Sequence, residues 1–323
     1  MTAIDLHAHL VPPTALRRQG WLDDSGGVPR VRVGATWQAV APGLLDPEAL
    51  IADADVSGIA TRVVSLPPFL LRHDLPPSDG AEYSSAMNDE LAALARTTGG
   101  RVRVLATVPL QDPPAAANEL RRAVAELGCA GAEIATNVAG RLDLDDDTLE
   151  PFWSAAEALD AVVLIHPHDV AGASRMRRYH LRNLVGNPLE TALAAAGLIF
   201  GGMLARHPHL QVVLSHGGGA LPWLLGRLDH GFEVREECQT IETPPSVWAR
   251  RFLYDSVVFE PAILRALVDW VGPDRVVLGT DYPFDMSDPR PMATVTKAVA
   301  DAGHRQAILD GNAARLLATA GKR

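Results

Sequence analysis

Lysine is nearly missing from this chain: Lys297 and Lys322 are the two in 323 residues. The formal net charge of −10 argues against a nucleic-acid surface, whose affinity rests on neutralising phosphates with Lys and Arg, and no nucleic-acid partner is expected. Cysteine is equally scarce. Cys129 and Cys238 fall in unrelated segments, so a disulfide framework and a zinc ribbon are both excluded and a reducing cytoplasm is the expected compartment. No uncharged apolar run reaches the ~20 residues of a membrane span. The longest, Thr191 to Ala205, is interrupted by glycine and reads as a buried helix. The first strand-like run starts too close to Met1 to leave room for a secretory leader. Linkers, low-complexity tracts and sequence repeats are lacking as well.

What is present is a chain that is 47% hydrophobic, enough for a large core, in which β-rich runs alternate with Ala-rich helical stretches. Eight strands are expected near residues 3–9, 60–66, 101–108, 129–135, 161–166, 210–216, 252–258 and 275–281. Helix starts are legible as Asp46-Pro47, Asp112-Pro113, Asp147-Thr148 and Glu260-Pro261, a capping side chain followed in three cases by an N1 proline. The pattern predicts a single (β/α)8 TIM barrel domain over 1–323, an α/β fold, with lid-like insertions near 10–45 and 67–80. An open doubly wound sheet is the alternative, but it would gather its site at one switch point.

Four strands end in metal-competent side chains. Asp5-Leu6-His7-Ala8-His9 places two imidazoles on one strand face, and later runs end in His166, His216 and Asp281. His7, His9, His166 and Asp281 are the expected ligands of one divalent ion, with Zn²⁺ expected and Mn²⁺ or another first-row ion as alternatives. By alternation Asp5 shares their inward face, deeper in the barrel, as an orienting partner or a structural salt bridge. His216, followed by three glycines that would let backbone and substrate approach closely, reads as the acid/base residue, with a fifth ligand as the competing reading. Glu133 could bridge a second ion, but a polar residue near the barrel mouth is the preferred reading. His168 could contact substrate or be a solvated loop residue; His207 and His209 belong to the opposite end of the barrel, and His73, His180, His230 and His304 offer no reason for a role. Arg175, Arg177, Arg178 and Arg182 cluster after strand 5, and Arg227 follows His216. They suggest a small anionic substrate or a solvated basic face.

Asp5-Leu6-His7-Ala8-His9, Ile165-His166-Pro167-His168-Asp169, Ser174-Arg175-Met176, Ser215-His216-Gly217-Gly218-Gly219, Gly226-Arg227-Leu228-Asp229-His230-Gly231 and Gly279-Thr280-Asp281-Tyr282-Pro283-Phe284 together resemble the aminocarboxymuconate-semialdehyde decarboxylase branch of the amidohydrolase superfamily, amidohydrolase family 2. The resemblance covers nearly the whole chain. It implies a metal-dependent nonoxidative decarboxylase of a small unsaturated or aromatic acid, with hydrolysis of an amide or lactone, or hydration of an unsaturated acid, as alternative chemistries on the same site. It also implies that Asp281 and His216 act in catalysis, that Phe284 lines the substrate pocket beside Arg175 and His168, and that Arg227 reaches a substrate carboxylate across a homodimer interface. Relatives with two metals bridge them with a carbamylated lysine on strand 4; this strand has none, so one ion is expected. Two positions depart from the pattern. The family's second carboxylate-binding arginine would fall near Gly34, where Arg30 or Arg32 match only with a shift, and His168 stands where Trp is common.

Overall fold

The computed structural model describes residues 3–322; Met1, Thr2 and Arg323, which the expected domain includes, lie outside the described residues. Eight parallel strands are present: β1 (Ile4–His9), β2 (Thr61–Ser65), β3 (Val102–Val104), β4 (Gly131–Ala135), β5 (Val162–His166), β6 (Gln211–Leu214), β7 (Leu253–Asp255) and β8 (Val276–Val277). They form one run of three strands, β1-β2-β3, and one of five, β4 to β8. Two seams close the ring. Ala130 N–H donates to Val104 O at 2.8 Å and Ala106 N–H to Gly131 O at 2.8 Å, while Leu6 N–H donates to Leu278 O at 2.8 Å and His9 N–H to Tyr282 O at 2.7 Å. The fold is therefore a closed TIM barrel, and the open sheet is ruled out.

The strands form where β-branched and apolar residues run together, because both faces are buried, one in the barrel and one under helices. Helix starts follow the capping chemistry. Asp46 accepts the N–H groups of Glu48 and Ala49 ahead of helix Pro47–Ser57, Asp112 accepts that of Ala115, and Glu260 that of Ala262. At 147 the cap moves by one residue, since Asp146 accepts from Thr148 and a 3-10 turn precedes helix Glu150–Ala158. The Thr191 to Ala205 stretch lies in helix Asn187–Phe200 and the short helix Met203–Arg206. It is not wholly buried: Leu193 is 53% exposed. No helix among the described residues is long and apolar enough to cross a membrane.

The barrel interior is built from one apolar layer to which every strand or its edge contributes: Leu6, Val63, Leu105, Ala130, Val162 with Leu164, Val213, Leu253 and Val277. Leu6 belongs to this layer because β1 carries a bulge. Ile4 and Asp5 face Thr61 and Arg62 in register, but Ala8 and His9 face Val64 and Ser65, so β1 spends one extra residue. A bulge resets alternation. Leu6 and then His7 and His9 are thereby supplied to the interior, and the inward position expected for Asp5 is corrected. Asp5 instead binds Arg62 Nε at 3.0 Å, Thr280 Oγ1 at 2.6 Å and the backbone N–H groups of His7 and Thr280, both at 3.1 Å. Arg62 continues to Asp53 at 2.6 Å and Leu50 O at 3.0 Å, on helix Pro47–Ser57. Burial pushes the Asp5 carboxyl above its ordinary value, against the pull of the Arg62 charge, the Thr280 hydroxyl and the His7 N–H.

Asp5 thus ties β8, β1, β2 and the first barrel helix together. Asp5→Ala removes one partner of a buried ion pair and is expected to cost ~3 kcal/mol, the low end for such a loss because Asp53 still holds the guanidinium. Denaturant titration of metal-free protein checks this; a change below about 1 kcal/mol would show that the pair carries no stability.

Candidate metal centre

Each candidate ligand sits at the carboxyl end of its strand, the end where barrel sites form. One nitrogen each from His7, His9 and His166 and one oxygen of Asp281 lie within 4.8 Å of one another, all buried. The Nδ1 atoms are held from outside the cluster: His7 Nδ1 by Asp255 Oδ2 at 2.6 Å, His9 Nδ1 by Leu66 O at 3.3 Å, and His166 Nδ1 by Pro167 O at 3.2 Å. All three rings therefore turn Nε2 toward the common centre, and an outer acceptor fixes each tautomer, as metal-binding imidazoles require. His7 Nε2 and His166 Nε2 are buried with no hydrogen-bond partner. Buried polar atoms without partners are rare; two of them aimed at one point, with a carboxylate, fit a divalent cation.

Protonation follows from the same contacts. For His7, burial opposes the charged form, but the Asp255 hydrogen bond and the charges of Asp281, Asp255 and Glu133 outweigh it and raise the ring to about 9. His166 is pushed well below its ordinary value by burial and by the neighbouring imidazoles His216 and His7. Burial would raise Asp281, yet the His216 and His9 hydrogen bonds and the His7 charge hold it well below the usual carboxylate range.

Asp281 divides its oxygens. Oδ1 lies 3.1 Å from His9 Nε2 and Oδ2 lies 3.3 Å from His216 Nε2. His216 and Asp281 both have left-handed backbone, φ 55° and 62°, which costs a non-glycine residue ~1–2 kcal/mol. Such strain persists where the fold over-determines it, and functional sites collect it. The three glycines after His216 allow the close packing expected there. A Cβ would lie 2.4 Å from Val258 Cγ1 at Gly217, 2.6 Å from Tyr254 Cε1 at Gly218 and 2.3 Å from Pro188 O at Gly219.

A cavity of about 520 Å³ opens onto His166 and Asp281 and is also lined by His168, Phe284, His180 and Arg182. The Phe284 ring stacks 5.2 Å from His9. Val33 and Gln38, from the antiparallel hairpin Arg30–Val33 and Thr36–Ala39 in the first long insertion, complete one wall, and Phe69 of the second insertion another. Arg175 does not line the cavity: the 3-10 turn Ala173–Arg175 leaves left-handed Gly172 and carries it to the surface. Arg30 and Arg32 are likewise exposed, bonded to the carbonyls of Trp37 and Gly34. Arg227 is exposed on helix Leu221–Val234 and outside the lining of its own chain's cavity. His207 is engaged at the other end by Glu157 and Glu150.

Asp255 escaped the sequence reading, although its strand ends in a carboxylate as β8 does. His180 escaped it because a turn, not a strand end, delivers it, whereas Arg182, named in the arginine cluster after strand 5, does line the cavity. Glu133, on the strand that carries the bridging lysine in two-metal relatives, is fully buried, bonded to Ser65 Oγ, and 3.8 Å from His9 Nδ1. Burial raises its pKa, against the pull of the His9 charge, the Ser65 hydrogen bond and the His7 charge.

Metal loading should release protons. Below about 9 the His7 ring is protonated, and its Nε2 must lose that proton before it can bind an ion, so apparent affinity should rise about tenfold per pH unit up to that value. Calorimetry at pH 7 in buffers of different ionisation enthalpy should show about one proton released per ion, and less for Asp255→Asn. Affinity independent of pH would contradict this assignment.

The Amidohydrolase family profile matches residues 4–319. The chain is 34% identical over 297 residues to 2-amino-3-carboxymuconate-6-semialdehyde decarboxylase of Dictyostelium discoideum, covering 88% of this chain and 82% of that one. It is 31% identical over 306 residues to gamma-resorcylate decarboxylase of Rhodococcus jostii, covering 87% and 88%. The crystal structure of a dihydroxybenzoic acid decarboxylase from Polaromonas sp. JS666, with bound manganese and the inhibitor 2-nitroresorcinol, superposes with a TM-score of 0.80 at 25% identity over 98% of this chain and 97% of that one.

Proposed function

Since the chain belongs to the amidohydrolase family and is a metal-dependent decarboxylase of a small carboxylic acid within it, we propose that His7, His9, His166 and Asp281 hold one divalent ion and that His216 moves the proton. The observation that carries this reading is the pair of bare, buried Nε2 atoms of His7 and His166 facing Asp281 at the cavity floor. Zn²⁺ suits three imidazoles and one carboxylate; manganese in a solved relative makes Mn²⁺ the alternative. Held by His7, His9, His166 and Asp281, such an ion would supply Lewis acidity to the site.

The chain's own residues do the rest. Decarboxylation exchanges a carbon–carboxylate bond for a carbon–hydrogen bond: CO2 leaves and the carbon gains a proton. His216 lies beside the cavity-lining Asp281, its Nε2 3.3 Å from Oδ2, so it can deliver that proton and recover it from solvent. Phe284 and Phe69 offer apolar walls to an unsaturated or aromatic skeleton, and the insertions 10–45 and 67–80 cover the site within one barrel domain spanning 1–323. The assay is CO2 release from candidate unsaturated and aromatic acids by metal-loaded protein, with product identified by mass. Hydrolysis or hydration products without CO2 would overturn the reading. Cys129 and Cys238, both free thiols, fit the cytoplasm as its compartment.

His216→Asn should retain most of the metal and lose roughly 10²- to 10⁴-fold in turnover, the usual contribution of a general acid/base. Elemental analysis beside the rate measurement separates the roles: metal lost with activity would make His216 a ligand.

The enzyme's working form is a homodimer with Arg227 supplied in trans. Support comes from the surface around it: Leu189 and Leu193 of helix Asn187–Phe200 and Trp223 of the adjoining helix Leu221–Val234 are 47%, 53% and 69% exposed. Such an apolar patch beside a cation suits a self-complementary interface. Arg227→Ala and His166→Ala should each be inactive, but coexpression with random assortment should return about a quarter of wild-type activity, because about half the dimers hold one complete site. No recovery would place Arg227 in its own chain's site.

A further inference from the structure

The 520 Å³ cavity adjoins a smaller chamber of about 180 Å³; Val33, Phe69, His168 and Asp169 line both. Gly34 and His168, the two places where the sequence departs from the family pattern, meet in this chamber. Its guanidinium is already neutralised. Arg72 is held by Asp74, Nε to Oδ1 at 2.8 Å and Nη2 to Oδ2 at 3.1 Å, and stacks 4.4 Å from the Trp21 ring. Among the described residues lining the chamber there is no other arginine or lysine, and Asp169 adds a carboxylate to the shared wall. An anionic group entering the chamber would therefore lose hydration without gaining a counter-charge.

One polar atom of the lining has no partner. His73 is 7% exposed, and its Nε2 is buried without a hydrogen bond. Burial and the neighbouring His168 push the ring down to about 4, against hydrogen bonding to the backbone at Val108 and Asn137, so the imidazole is neutral near pH 7. With its N–H turned to that backbone, Nε2 is left as a lone-pair acceptor. The other side-chain donors of the chamber are engaged elsewhere: Arg72 with Asp74, and Asn137 Nδ2 with His168 O at 3.0 Å and Glu190 Oε1 at 2.9 Å. A buried acceptor without a partner is rare and calls for a ligand's donor. The segment that carries His73 is pinned on both sides, since Tyr83 Oη donates to Leu70 O at 2.6 Å and Gln111 Nε2 to Leu75 O at 3.2 Å. Arg72, Ala139 and Asp169 also have left-handed backbone, φ 53°, 54° and 49°, a strain that collects at functional sites.

We propose that this chamber receives the end of the substrate remote from the departing carboxylate, and that His73 Nε2 accepts a hydrogen bond from a neutral hydroxyl or amino group there. The acid consumed is thus an unsaturated or aromatic acid whose far substituent is an uncharged donor, not a second carboxylate. A neutral nitrogen lone pair accepts from such a group and offers nothing to an anion. Phe69 and Val33, common to both cavities, flank the skeleton between the two ends. The inference rests on the decarboxylase reading for which carboxylate departs.

Calorimetric binding of 3- and 4-hydroxybenzoate to the metal-loaded full chain, each against the methylbenzoate of the same substitution, tests it. A methyl group fills the hydroxyl's place but cannot donate, so the ratio within a pair isolates the hydrogen bond. The wild type should favour the hydroxy acid in at least one pair by roughly 10-fold. His73→Phe, which keeps a ring but offers no acceptor, should bring that ratio near one, and His73→Gln, whose amide oxygen can accept, should keep part of it. A wild type without preference overturns the proposal, as does an unchanged ratio in His73→Phe or tighter wild-type binding of benzene-1,3-dicarboxylate than of either hydroxy acid. Affinity is read here without turnover. A preference lost in His73→Phe with no CO2 release from any acid defeats the decarboxylase reading and leaves the donor site standing; CO2 release with an unaltered preference does the reverse.

Discussion

The site turns on a conflict between adjacent rings that protons alone cannot resolve. His7, gripped by Asp255, is driven to hold a proton, while His166, about 5.1 Å away between ring centroids, is driven to lose one. A proton on His7 leaves the neutral His166 Nε2 lone pair buried and unpaired, and removing that proton leaves two such lone pairs beside a carboxylate. A divalent cation answers all of these demands at once, accepting the lone pairs and balancing Asp281. The surrounding structure works to keep that geometry: the β1 bulge, the Asp5–Arg62 brace, the carbonyls of Leu66 and Pro167, and the left-handed turns at His216 and Asp281.

Much of this was legible in the sequence because a barrel writes its floor at strand ends, where an apolar run stops at a polar residue. That signal located all eight strands and the four residues that converge at the cavity floor. It failed where a local irregularity changed which way side chains point. Strict alternation placed Asp5 inside, yet the extra residue in β1 sends it toward Arg62 and supplies Leu6 to the interior. A bulge leaves no residue-type mark when no glycine is needed. Asn187 was hidden in the same way, since it lines the cavity at the end of a π turn over Arg182–Gly186, and Arg175 held attention by its motif although its turn points outward.

Strand ends and loops therefore carry different parts of the chemistry. Of the four clustered residues, His7, His9 and Asp281 are braced by the backbone hydrogen bonds of the β8–β1 seam, and His166 is held between β4 and β6. Those facing the remainder of the cavity come from the 30–39 hairpin, the 67–80 segment and the π turn, each of which can vary while the floor stays fixed. Relatives that act on different acids, as the names of the matched decarboxylases indicate, are the expected result on one barrel.

The scarcity of lysine acquires a positive meaning in this setting. An ammonium near a divalent cation is easily shifted toward its neutral form by burial and charge, and a neutral amine can become a ligand or a nucleophile. A guanidinium does neither: it stays charged, donates without accepting, and has no lone pair to offer the ion. Arg182 on the cavity wall thus adds a fixed positive charge without competing for the metal.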